Sequence, residues 1–340
     1  MNIIIKQPTT QTHLDEETAI IVDLYWGEIA NIITVLTKLY EDHDMTQCKV
    51  YIYYPEEPLT FRFENWSMTL LGALHKFANE RDIKPSNFFF YTGNFKAPEL
   101  YASIIEKRKL LGDEIRIILC TAHWDHWLKK PRYKSPTRKR HFKYVNLNGE
   151  KRWWRASVLN FLYENEYLDS GYNSYHRSDN ELLPDLQRKI PLIADHLLPN
   201  SHTANQEHLY NNAFFSIIGE TCYSADAGGI TEKTYKTFFY RHPFVMVSSS
   251  GTLAELHNLG FKTFDGLIDE SYDLIEDDDE RMLAIQQEIK KLCDMSLDDL
   301  NEWYDSLKNT FDHNQNLLEE WAYTSKRDRH RIDWNSIKSK

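Results

Sequence analysis

Apolar and polar positions alternate along this chain in a strand-then-helix rhythm. Residues 18–24 (TAIIVDL) read as a buried strand, and residues 29–40 carry Ile29, Ile32, Ile33, Leu36 and Leu39 on one helical stripe. Lys49–Tyr54 reads as a strand stopped by Pro55, residues 68–79 as a helix, and residues 87–91 as a third strand ending in Thr92-Gly93-Asn94. A helix over 98–111, with Pro98 suited to its first turn, and a strand over 115–120 complete this half. The alternation predicts a mostly parallel sheet with helices on both faces.

A second series follows. Residues 144–147 read as a short strand, 148–151 as a turn, and 152–166 as a helix with Trp154, Val158, Phe161 and Leu162 facing a core. Residues 171–175 suggest another strand, and 177–210 read as irregular with short helices. The run at 214–218 is almost continuously apolar, the mark of a strand buried on both faces. It stops at Gly219-Glu220-Thr221. A loop with Gly228 and Gly229 leads to Thr231-Glu232-Lys233, which opens a helix to residue 240; Pro243 breaks it, and Phe244–Val247 reads as the next buried strand. Beyond lie a helix over 253–259 capped by Gly260, a short strand over 262–272, and an acid run at 276–280 that caps a helix over 281–295 and offsets its dipole. Helical stretches over 297–309 and 313–326 close the chain. The expected division is 1–140 for an N-terminal α/β domain, 141–310 for a second, and 311–340 for a helical tail.

Composition narrows the class. With 340 residues, 41% hydrophobic and 14% aromatic, the chain is globular and long enough for two domains. A net charge of −11 argues against a surface built wholly to embrace nucleic acid or an anionic membrane. No apolar run approaches the ~18 residues of a membrane span, and Met1 to Thr12 lacks a leader's long apolar core. Cys48, Cys120, Cys222 and Cys293 lie far apart without metal-type pairing, so the chain reads as soluble and cytoplasmic. One segment departs from the acidic balance: residues 129–143 (KKPRYKSPTRKRHFK) carry eight Lys or Arg, two Pro and no acid. It reads as a solvated interdomain linker, as a basic lip over an anionic ligand, or as both.

Polar residues gathered at a strand end and the next helix start are where parallel sheets hold ligands, because free N–H groups and the helix dipole attract phosphate. Glu232 suits a ribose diol and Lys233 a phosphate, while a plain reading makes Thr231 an N-cap and its neighbours surface charges. Taken together, Glu220, the loop, Ile230-Thr231-Glu232-Lys233, the helix and the Pro243-Phe244 strand resemble the donor-binding half of the α1,3-fucosyltransferase-like families. The resemblance covers residues 144–273 and implies the GT-B fold: α/β, two Rossmann-like domains facing across a cleft, with C-terminal helices. It further implies transfer with inversion from a nucleotide-diphosphate sugar, a GDP-sugar being favoured, with no metal and no other cofactor. In that family Glu232 would hold the ribose, Lys233 the phosphates, and Glu220 would lie near the sugar, with Thr231 capping the helix. An arginine early in the donor domain reaches the pyrophosphate there. Arg155 in NGEKRWWR fits that place and Arg152 is its rival; packing over Trp153 and Trp154 is the structural alternative for each. The chain departs from the family in having Glu220-Thr221 where fucosyltransferases have Glu-Asn.

An inverting transfer needs a base for the acceptor hydroxyl. Candidates lie after strand ends: Asp23 with Glu28, the Thr92–Asn94 turn, and His123-Trp124-Asp125-His126-Trp127, in which Asp125 and His123 lead. The acceptor is then a carbohydrate or another hydroxyl compound. Two alternatives keep the fold: transfer to modified bases of DNA, motivated by the basic segment, and a non-catalytic interaction protein.

Overall fold

The structure is a computed structural model, and it describes residues 2–6, 19–23, 32–42, 45–54, 62–63, 68–119, 132–133, 139–178, 180–194, 206–224 and 227–323. The chain divides into two compact units. The first is Met1–Ala122 with Asp226–Gly229 and Ser325–Lys340; the second is His123–Ala225 with Ile230–Thr324.

The first unit holds a sheet of β1 (Asn2–Lys6), β2 (Ala19–Asp23), β3 (Lys49–Tyr54), β6 (Phe88–Thr92) and β7 (Arg116–Leu119), in that order, beside a small ribbon of β4 (Arg62–Phe63) and β5 (Met68–Thr69). Strands β2, β3, β6 and β7 run parallel, and β1 is an antiparallel edge on β2. The crossovers carry α1 (Ile32–Asp42), α2 (Leu70–Asn79) and α3 (Ala97–Arg108). Each crossover steps the same way along the sheet, so right-handed connections place the three helices on one face. They touch in sequence, α1 on α2 and α2 on α3, and His75 of α2 hydrogen-bonds the Tyr101 hydroxyl of α3 at 2.6 Å. The expectation of helices on both faces fails here for the described helices. Burial shows the same sidedness: Val50, Ile52, Phe88 and Phe90 join the core with Leu36, Leu74 and Phe77, while Tyr51, Phe89 and Tyr91 are half-buried on the other face. There Tyr51 stacks on Phe89 at 4.7 Å and the Arg116 guanidinium lies 5.0 Å from the same ring.

The second unit has another five-stranded sheet: β10 (Leu192–Ile193), β9 (Gly171–Tyr175), β8 (Phe142–Asn148), β11 (Ala213–Gly219) and β12 (Phe244–Val247). Strands β9, β8, β11 and β12 run parallel, with β10 an antiparallel edge. Helix α4 (Trp153–Glu164) carries the chain from β8 outward to β9; α5 (Pro184–Gln187) and α6 (Glu207–Asn212) precede β10 and β11; α7 (Glu232–Phe239) carries it from β11 outward to β12. The two outward steps run in opposite directions, so α4 and α7 belong on opposite faces. Accordingly every residue of β11 and β12 is buried, as the continuous apolar runs predict. Helices α8 (Thr252–Asn258), α9 (Asp278–Asp294), α10 (Leu297–Ser306) and α11 (Lys308–Tyr323) complete the unit; α9 packs on β12 and α4, and α11 on α7.

Local chemistry sets several boundaries. Asp277 caps α9 through the N–H groups of Asp279 and Glu280, so the acid run does the capping expected of it. Gly260, at φ +92°, ends the α8 region in the left-handed conformation glycine favours. Residues 68–69 pair as a strand, so the helix predicted from 68 starts at Leu70. The strand expected over 262–272 is absent: an isolated Asp265–Ile268 bridge and a 3₁₀ turn, Glu270–Leu274, stand there. Phe264, Ile268 and Tyr272 are all buried at four-residue spacing, a turn-like period rather than a strand's two.

Candidate functional site

In the second unit the chain leaves β8 for one side of the sheet and β11 for the other. The carboxyl ends of these neighbouring strands form the topological switch point, where parallel sheets open a ligand crevice. Four of the sequence-selected residues, Glu220, Thr231, Glu232 and Lys233, meet at the end of β11, and Arg152 and Arg155 lie at the start of α4 just after β8.

Glu220 follows β11 and its side chain is 0% exposed. One carboxylate oxygen accepts from the Thr231 N–H at 3.0 Å and the Thr234 hydroxyl at 2.6 Å. The other accepts from the Thr231 hydroxyl at 2.6 Å and the Thr221 N–H at 3.2 Å. A buried carboxylate with four donors is fully solvated by the protein. It also anchors the start of α7, where it accepts from the N-cap residue Thr231 and from the Thr234 hydroxyl. Thr231 caps this helix, accepting from the Lys233 N–H at 3.4 Å. Lys233 Nζ lies 3.9 Å from Glu220, 3.5 Å from Glu232 and 3.1 Å from the Thr231 hydroxyl, and Lys233 and Glu232 keep partly exposed side chains. These two are the accessible charged pair of the cluster.

Arg155 is buried in the first turn of α4. Its Nε and Nη2 donate to the Gly219 carbonyl at 3.1 and 2.9 Å, Nη2 also to the Glu220 carbonyl at 3.1 Å, and Nη1 to the Glu150 carbonyl at 3.0 Å. The guanidinium therefore staples the turn after β8 to the end of β11, across the switch point. Burial pulls its pKa below the ordinary arginine value, and nearby Glu220 opposes that shift. Trp154 adds an indole N–H to the Glu220 carbonyl at 3.1 Å. Arg152 is the N-cap residue of α4, and its side chain makes no capping hydrogen bond. Trp153 is 36% exposed and meets the Tyr223 ring edge-on at 5.0 Å.

Two buried residues outside the sequence-selected set tie nearby loops of the same unit together. Arg281, 1% exposed, donates to the carbonyls of Ser248 at 3.1 Å, Ile275 at 2.7 Å and Glu276 at 3.0 Å, and to Asp278 at 2.6 Å. It also bonds the Tyr223 carbonyl and lies 4.5 Å from that residue's ring. Asp273 receives the N–H groups of Leu253 at 3.1 Å and Ala254 at 3.0 Å, closing the start of α8. Of the helix starts at this edge, α8 thus receives a carboxylate of the chain on its first-turn N–H groups, and α7 the hydroxyl of its own N-cap, Thr231. Nothing in the local sequence marks Arg281 or Asp273, because the bonds that tie them across the unit go to main-chain groups of distant residues, Ser248 and Tyr223 for one and Leu253 and Ala254 for the other.

The other expectations fare variously. Asp125 and His123, with Trp124, Trp127 and Glu28, lie outside the described residues. The backbone of Asp23 ends β2, and Asn94 accepts from the N–H groups of Lys96 at 3.0 Å and Gly228 at 2.9 Å, a turn-forming role. Within the basic segment, Arg132 pairs with Glu319 at 3.3 Å, Arg140 donates to the Ala213 carbonyl at 3.0 Å, and Lys143 bonds the Cys293 carbonyl. Lys139 instead lines a cavity of about 610 Å³ with His141, Glu207 and His208, at the opposite, amino end of β8 and β11. Among the described residues, no group of three or more His, Cys, Asp or Glu is placed to hold a metal, and no helix is long and apolar enough to cross a membrane.

Compared with protein families, curated proteins and solved structures, the chain matches none.

Proposed function

We propose that this chain is a glycosyltransferase that moves a sugar from a nucleotide-diphosphate sugar to a hydroxyl acceptor, with GT-B architecture and inversion at the sugar carbon. One observation carries the reading: Glu220, Thr231, Glu232, Lys233 and Arg155 converge on the carboxyl ends of β8 and β11, the crevice position of a parallel sheet. In this reading Glu232 takes the ribose hydroxyls. Lys233 and the uncapped start of α4, with Arg152 beside it, take the diphosphate. Glu220 and Arg155 are positioning groups, because every hydrogen bond given above for their charged side chains goes to the chain itself. Arg155 and Lys233 still supply positive potential to a leaving diphosphate.

Isothermal titration with GDP and UDP tests this reading. One of them should bind, with Lys233→Ala and Arg152→Ala each weakening it about tenfold, a loss of about 1.4 kcal/mol. Absence of binding, or binding that neither substitution changes, overturns it. The internal commitment of Glu220 and Arg155 favours a second reading, a unit that binds the nucleotide without turnover. Donor hydrolysis or transfer under saturating nucleotide sugar separates the two.

A further inference from the structure

Buried amides are rare in strands unless something uses them, and β8 and β9 carry three: Asn146, Asn148 and Asn173. They form a ladder. Asn173 Nδ2 donates to the Leu168 carbonyl at 2.9 Å and to the Tyr144 hydroxyl at 3.0 Å. Asn146 Nδ2 donates to Asn173 Oδ1 at 3.1 Å, and Asn148 Nδ2 donates to Asn146 Oδ1 at 2.7 Å. The direction is fixed from the far end. A carbonyl only accepts, so Asn173 must turn its amino group to Leu168, and each amide in turn must follow. The last acceptor, Asn148 Oδ1, has no hydrogen-bond partner although the residue is only 2% exposed.

This orphan oxygen stands at the switch point. Asn148 ends β8, four residues before the uncapped N-cap of α4. It presses on Gly219, where an added Cβ would lie 2.6 Å from Oδ1 and 3.0 Å from Arg155 Cγ. At the neighbouring Gly149 an added Cβ would meet nothing within 4 Å, so the turn beside the amide is open. An acceptor in that place repels a phosphate and calls for a donor. The helix start four residues along attracts an anion. A ligand satisfying both carries a hydroxyl close to a phosphate, as a sugar phosphate does.

We propose that Asn148 Oδ1 accepts a hydrogen bond from a hydroxyl of the donor's sugar ring, with Asn146, Asn173 and Tyr144 as positioning residues that aim it. The assignment rests on the nucleotide-sugar reading above. It makes Asn148 a determinant of the sugar rather than of the nucleotide.

The test is titration of the full chain with GDP, GDP-mannose, UDP and UDP-glucose. Asn148→Ala and, as a milder variant, Asn148→Ser should weaken the sugar nucleotide about tenfold while leaving the bare diphosphate within about twofold. Asn173→Ala should shift the same ratio less, since it frees the ladder to turn. A role in folding alone would lower both affinities together along with the melting temperature, and that result overturns the proposal. So does an unchanged ratio in both variants at position 148, or a wild type that takes a bare diphosphate and refuses both sugar nucleotides. In those cases the nucleotide-binding reading survives. A wild type that binds none of the four removes that reading, and this assignment with it.

Discussion

The two sheets have the same inventory, four parallel strands and one antiparallel edge, yet they are wound differently. In the first unit the parallel strands advance in one direction, and the described helices lie on one face. In the second the chain starts in the middle and goes both ways. Winding from the middle buries both faces and parts the chain at the ends of β8 and β11. Stepwise winding leaves one face half-buried and gives its parallel strands no such parting. The candidate chemistry gathers where the winding reverses, which ties site to topology rather than to any one motif.

Adjacent residues offer the sharpest way to break this contrast. In β6, Phe90→Ala should cost about 3–4 kcal/mol and Phe89→Ala about 1 kcal/mol, because only the first faces the helices. In β11, Ile217→Ala and Ile218→Ala should cost about 3 kcal/mol each, both being buried on opposite faces. Urea unfolding measures all four. Equal losses at 89 and 90 would remove the one-sided description of the first sheet.

Acid should act on the second sheet through His242. Its Nε2–H donates to the Ala213 carbonyl at 2.8 Å, so Nδ1 accepts from the Ser216 hydroxyl at 2.8 Å and the buried ring is neutral. Burial first, and then the Arg140 charge, pull its pKa down to about 3, with the Ala213 bond opposing. The unfolded chain binds this proton more readily, so the histidine's stabilising share is whole above about pH 6.5 and is lost as pH falls toward 3. Between pH 7 and pH 5 the loss should be about 2 kcal/mol, at about 1.4 kcal/mol per pH unit below 6.5. Unfolding free energies of the wild type and His242→Gln at the two pH values measure it; an identical pH dependence in both would refute the assignment.

The smallest effect compares two helix starts within the second unit. Thr231→Ala removes a cap and should cost about 1 kcal/mol, whereas Arg152→Ser adds one to α4 and should stabilise by about 0.5 kcal/mol. Thermal melts of the two variants should move in opposite directions. Movement in the same direction would mean that the start of α4 is not open.

Much of the fold was legible because burial on both faces writes itself as an unbroken apolar run, as at 214–218. The sidedness of the first sheet was not. Phe88 to Tyr91 is aromatic throughout, and rings on the half-buried face stack on one another instead of giving way to polar residues. The Thr231–Lys233 helix start was legible as a cap and a charge cluster, since both are local. Glu220 was singled out for its place at a strand end, but its role as internal anion depends on Thr231 and Thr234, which only the folded loop returns to it. The stapling role of Arg155, and Arg281 altogether, were opaque for one physical reason: each binds main-chain carbonyls, and a carbonyl looks the same at every position of a sequence. The buried asparagines were hidden likewise, because Asn in a short strand reads as the approach to a turn.

The ladder from Leu168 to Asn148 has an all-or-none character. No single amide in it can turn over without setting two oxygens or two amino groups face to face, so the three must reverse in concert, and reversal strips the Leu168 carbonyl of its Asn173 donor. The hydrogen-bonding sense displayed at the end of β8 is therefore governed from a carbonyl at the far end of α4. A chain altered to present a donor there would have to be rewritten around residue 168, twenty positions from the oxygen it governs.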